Sequence, residues 1–208
     1  MVALAWALAL ALVVALAACG GDDSETGSGG RGDSGGEEPA VDGAELGEAA
    51  GEQASEPVDL AVSEVEVPAS AAAGVDACGN QVSYDGDLMV DGVSGTTWRI
   101  DGDATGRRLT FLLDGPHEVR EVGLIPGYAK VDPCDGVDRF VQNRRVTEVT
   151  WSFDDGTSVA QTLTERPEMQ SLAVEPTTTS TIVLRIDGVT ADPERDFTAV
   201  SEISLRGT

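Results

Sequence analysis

Residues 149–163 read VTWSFDDGTSVAQTL. Val149, Trp151 and Phe153 alternate with polar residues, Asp154-Asp155-Gly156 supplies a turn, and Val159, Gln161 and Leu163 resume the alternation beyond it. A period of two on both flanks of a D-G turn specifies a β-hairpin. The same period recurs at Leu109, Phe111 and Leu113, and at Ile182, Leu184 and Ile186, where Val183 and Arg185 take the opposite face. Ile203 and Leu205 close the chain, and no long helical period interrupts the series. About eight short strands bounded by turn residues predict an all-β sandwich or barrel. Trp98, Trp151, Phe111 and Phe153 are its expected core.

Upstream of this region the character changes. The 208 residues carry 37 acidic against 13 basic side chains, a formal net charge of -24, and only 4% aromatics. Most of that imbalance lies between Gly20 and about Asp76, a run of Gly, Ser, Ala, Asp and Glu whose only basic residue is Arg31. Such a segment buries too little apolar surface to offset chain entropy, and its like charges extend it. Residues 19–77 therefore read as a disordered acidic linker and 78–208 as the folded domain. The patch VDLAVSEVEV at 58–67 alternates weakly and is assigned to the linker. The acidity also disfavours nucleic acid and anionic headgroups as partners.

Residues 1–18, MVALAWALALALVVALAA, are almost wholly apolar and run into Cys19. An apolar stretch ending in small residues is a secretory signal. Leu16-Ala17-Ala18-Cys19 resembles the lipobox of bacterial lipoproteins, in which the cysteine is acylated and anchors the chain. The segment also meets the lower length limit of a transmembrane helix, and no Lys or Arg precedes it as a signal normally requires. Both readings place the remainder outside the cytoplasm, at the outward face of the cell membrane. Cys78 and Cys134 then form an even pair in an exported chain, without zinc-site spacing, and are expected to be a disulfide; two free thiols are the alternative.

Within 78–208, Asp91-Gly92 followed by Thr96 and Trp98 spells D-G-x-x-x-T-x-W, and Thr198 to Ile203 spells a T-x-I-S-E-I-type ending. Between them stand Pro126-Gly127-Tyr128-Ala129-Lys130, Gln142-Asn143-Arg144-Arg145-Val146 and Phe153-Asp154-Asp155-Gly156. In order and number these motifs resemble the discoidin-like, galactose-binding-like domains, above all the glycan-binding (translocation) domain of NAD-glycohydrolase toxins. The resemblance implies a jelly-roll β-sandwich with binding loops at one end. It further implies a structural Ca2+ held by Asp91, Thr96 and Glu202 with the carbonyls of Leu88 and Val93, an all-oxygen set of the kind calcium takes. The plain alternative is a turn at Asp91-Gly92 and a solvated Glu202.

Two loops are polar yet patterned, 126–143 and the stretch Arg195-Asp196-Phe197. Sugar sites combine an aromatic face with planar amides, carboxylates or guanidinium groups. Tyr128, Lys130, Arg139, Phe140 and Asn143 are the residues expected to meet a glycan, while Arg144 is expected to pair with a nearby aspartate. Catalysis has no support: the only histidine, His117, follows Gly115-Pro116 with no triad around it, and no phosphate-binding loop is present. The chain therefore reads as a surface-anchored, non-catalytic carbohydrate-binding module, or alternatively as a module that uses the same loops on an envelope protein.

Overall fold

The computed structural model describes residues 56–208. The expected signal at 1–18, the lipidation site Cys19 and the linker up to residue 55 lie outside the described residues. In chain order the elements are β1 (Val58–Asp59), β2 (Val62–Glu66), β3 (Gly74–Val75), β4 (Gln81–Val82), a single 3-10 turn (Gly86–Met89), β5 (Trp98–Asp101), β6 (Arg108–Ile125), α1 (Arg139–Gln142), β7 (Val146–Phe153), β8 (Ser158–Thr162), β9 (Gln170–Val189), β10 (Phe197–Val200) and β11 (Glu202–Gly207). They form an all-β jelly-roll sandwich. Its main strands run in the order β1-β11-β6-β9-β7-β8 with β2 also on β6, and β5–β10 and β3–β4 form two-stranded ribbons.

The predicted 149–163 hairpin is β7–β8, with Trp151 opposite Val159 and Gly156 at a positive φ of 84° in its turn. Two strands are much longer than alternation suggests, because bulges hide their continuity. β6 breaks register against β9 between Leu112 and His117 and again between Val119 and Glu121. Each break bends the strand and raises its twist. The first part of β6 thus pairs with β2 and the second with β11, so one strand serves two parts of the sandwich. Leu109, Phe111, Trp98, Trp151, Ile182, Leu184 and Ile186 are fully buried in one core. The two indole N–H groups are satisfied there, Trp151 donating to Gln161 Oε1 at 2.9 Å and Trp98 to the Ala69 carbonyl at 2.9 Å.

The domain boundary needs correction. The sequence places it at 78, but β1 pairs with β11, β2 pairs with β6, and Leu60, Val62, Val65 and Val67 pack on the core. A register shift between Val62 and Glu64 puts the inward valines three residues apart instead of two, which erases the strand period. Among the described residues β2 pairs only with β6, and its outward Ser63, Glu64 and Glu66 are the polar side chains that suit an edge.

Candidate functional site

The β5–β10 ribbon organises the site region. Its register sets Trp98 opposite Val200, Arg99 opposite Ala199, Ile100 opposite Thr198 and Asp101 opposite Phe197. Directly opposed residues share a face, and successive residues alternate. Trp98, Ile100 and Val200 therefore enter the main core. Arg99, Ala199 and Phe197 face the other way, onto a smaller cluster of Ala71, Tyr84 and Tyr128.

At the entry to β5 the D-G-x-x-x-T-x-W loop curls on itself. Asp91 Oδ1 accepts from the Val93 amide at 2.8 Å, and Gly92 takes a φ of 76° that only glycine adopts without strain. Thr96 Oγ1 lies 2.9 and 3.1 Å from the two Asp91 carboxylate oxygens, 2.6 Å from the Val93 carbonyl and 3.5 Å from the Leu88 carbonyl. One hydroxyl proton serves one of these four acceptors and leaves the others crowded oxygen against oxygen. Glu202, at the start of β11, is 8% exposed, and among the described residues no hydrogen-bond donor reaches its Oε1. Burial, reinforced by the adjacent Asp91 carboxylate, pushes its carboxyl up to about 7. The residues expected at the cation site thus converge, and they fit it: the donors are all hard oxygens, and a buried carboxylate oxygen lacks any other partner.

On the opposite face of the ribbon lies a cleft of about 260 Å³. Tyr84, Tyr128 and Arg99 line it, Asp76 and Ala77 form one side, and Lys130, Asp132, Asp135 and Arg139 form the other, with Arg195 completing it. The Cys78–Cys134 disulfide is formed, with Cα atoms 5.3 Å apart, and joins the 75–78 side to the 130–139 side. Asp132 is 1% exposed and accepts from the Cys134 amide at 3.1 Å and from Arg139 Nη2 at 3.1 Å. The Cys134 amide, with Arg139 and Lys130, holds its carboxyl below the usual carboxylate range. Arg139 also reaches Asp135 at 2.6 Å, and Lys130 Nζ lies 3.3 Å from Asp76 Oδ2.

Of the five residues expected to meet a glycan, Tyr128, Lys130 and Arg139 line this cleft and Phe140 and Asn143 do not. Phe140 is buried beneath Gly127, where an added Cβ would stand 2.6 Å from its ring. Asn143 is 1% exposed and its Nδ2 donates to the Arg139 carbonyl at 2.7 Å, closing the end of α1. Tyr128 presents no open ring face: it meets Tyr84 edge-on, with centroids 6.3 Å apart, and burial pushes its hydroxyl up to about 12. Arg144 Nε pairs with Asp196 at 2.6 Å, as a structural ion pair does.

Sequence reasoning missed Arg99 and Tyr84. The available signal was phase: Arg99 interrupts an apolar strand on the face shared with Ala199 and Phe197. The guanidinium lies 3.6 Å from the Tyr84 ring centroid and 4.1 Å from that of Phe197, between two aromatic faces.

A family model described as the NAD glycohydrolase translocation F5/8 type C domain matches residues 58–206. None of the curated proteins matches the chain. Among solved structures it is similar to CBM32-3 from a family 31 glycoside hydrolase of Clostridium perfringens, at 14% identity and a TM-score of 0.50, covering 73% of this chain and 95% of that one. It is also similar to a truncated AlyQ with CBM32 and alginate lyase domains, at 16% identity and a TM-score of 0.50, covering 74% of this chain and 34% of that one. A third is the arabinofuranosyltransferase AftD from Mycobacteria, at 16% identity and a TM-score of 0.51, covering 74% of this chain and 11% of that one.

Proposed function

The chain belongs to the NAD glycohydrolase translocation F5/8 type C domain family, and we propose that its folded domain is a non-catalytic module binding a cell-envelope or extracellular glycan. The cleft carries this reading. It is concave and walled by fixed guanidinium and carboxylate groups, planar donors and acceptors of the kind that sugar hydroxyls require. The fold likeness to a domain named as a carbohydrate-binding module supports it. The one histidine is spoken for, its Nε2 lying 2.7 Å from the Asp114 carboxylate. In the same reading an acylated Cys19 holds the domain at the outward face of the membrane.

A glycan array probed with the purified chain tests the reading, with the partition of Cys19→Ser between membrane and soluble fractions as the control on anchoring. Bound glycans, and release of the variant from membranes, are the expected results. A silent array together with a co-purifying envelope protein would favour the protein-binding alternative. Retention of the Cys19→Ser variant with its apolar segment intact would favour a helical anchor.

Asp91, Thr96, Glu202 and the Leu88 and Val93 carbonyls would hold Ca2+, whose charge neutralises the two facing carboxylates. The ion acts as a staple joining the loop before β5 to β11. Binding to the native state alone adds about 2.7 kcal/mol at a hundredfold excess over Kd, or roughly 5–10 °C in Tm for a domain of this size. Calcium should therefore raise the melting temperature, chelator should reverse the rise, and Asp91→Asn should abolish the response. A melting curve indifferent to both additions would reduce the loop to a hydrogen-bonded turn.

A further inference from the structure

Arg99 is the one buried cation of the cleft without an ion pair or side-chain hydrogen bond among the described residues; Arg195, also unpaired there, is exposed. The Arg99 side chain is 7% exposed, and its Nε is buried without a hydrogen-bond partner. Among the described residues its guanidinium makes no hydrogen bond and no ion pair. Tyr84 and Phe197 cover its two faces, so only its edge remains to receive an acceptor. That arrangement holds the plane of the group at a fixed angle and leaves the edge to an acceptor. Burial lowers its pKa, and nearby Arg195 acts in the same direction.

The carboxylates around it are already engaged. Asp76 accepts from the Cys78 and Asn80 amides and from Lys130, Asp132 from the Cys134 amide and Arg139, and Asp135 from the Val137 amide and Arg139. Asp101, two residues along the same strand, is exposed; its charge acts on Arg99 but forms no ion pair with it among the described residues. Four cations, Arg99, Lys130, Arg139 and Arg195, thus face three carboxylates in the cleft. A net positive cleft on a chain of net charge -24 is a local inversion that selects for negative ligands.

We propose that this cleft takes an acidic sugar, a pyranose bearing a carboxylate or phosphate, whose oxyanion docks on the edge of the Arg99 guanidinium beside Arg195. The inference rests on the glycan reading and narrows it. A guanidinium edge matches either oxyanion through parallel charge-assisted hydrogen bonds. The aromatic groups that hold Arg99 also keep water from competing for it.

The test is calorimetric titration of the full chain, disulfide intact, with D-glucuronate, D-galacturonate, glucose 6-phosphate, D-glucose, D-galactose and inorganic phosphate. An acidic sugar is expected to bind at least tenfold more tightly than its neutral counterpart, and the two acid classes separate carboxylate from phosphate recognition. Arg99→Lys keeps charge but loses the fork, and should cost roughly tenfold or more. Arg195→Gln, at an exposed position, is the variant that tests the site should Arg99→Lys not fold. It should weaken acidic sugars only, and by less as salt rises. Equal binding of neutral and acidic sugars overturns the inference and leaves the glycan reading standing. Binding of no sugar overturns both, and inorganic phosphate binding as tightly as glucose 6-phosphate removes the sugar from the proposal.

Discussion

A chain cut to begin at residue 78 is expected not to fold, while one beginning at residue 56 folds cooperatively. The cut removes β1 from β11 and β2 from β6. It strips Leu60, Val62, Val65 and Val67 from the core, at about 1–2 kcal/mol each for partly buried aliphatic groups. It leaves the buried Trp98 indole N–H without the Ala69 carbonyl, a further loss of about 1–3 kcal/mol. It also takes away the Ala71 amide that donates to the Arg99 carbonyl at 2.6 Å. The sum reaches the whole stability of an ordinary domain, about 5–15 kcal/mol. Thermal unfolding followed by circular dichroism decides the matter. A cooperative transition in the 78–208 fragment, within a few degrees of the longer one, would mean that the early strands are decoration.

The second large effect belongs to the Cys78–Cys134 bridge, whose partners are 56 residues apart. Closing a loop of that length is worth about 4 kcal/mol in the chain-entropy model. The double variant Cys78→Ser, Cys134→Ser should therefore melt roughly 8–16 °C lower. It should also bind ligand more weakly than its residual stability explains, because Asp76 and Asp132 then lose their fixed spacing across the cleft. Titration well below the melting temperature separates the two effects. Unchanged affinity in the folded double variant would show that the bridge stabilises the domain without shaping the cleft.

The sandwich was legible because alternation survives wherever strands run without bulges. Val149, Trp151 and Phe153, and Ile182, Leu184 and Ile186, are buried as their period requires. The start of the domain was not legible, because the shift at Val62/Glu64 conceals a strand that also carries charges on its open side. The curl at D-G-x-x-x-T-x-W was readable since its spacing is local: Asp91, Thr96 and the turn at Gly92 lie within one curl of backbone. The cleft was readable only in part. Phe140 and Asn143 sit on and beside a four-residue helix too short to declare which way its side chains turn. Arg99 depends on Phe197 and Ala199, which strand register brings to its face, and on Tyr84, which a loop brings onto its guanidinium.

The bridge across the cleft has a consequence in time. Until Cys78 and Cys134 are oxidised, the 75–78 and 130–139 segments are joined by noncovalent contacts alone, such as the Lys130–Asp76 pair. A newly made chain in a reducing compartment therefore has the sandwich available to it but not the finished cleft. On the proposed export, oxidation sets the walls, so the cleft takes its final shape only once the chain reaches an oxidising compartment.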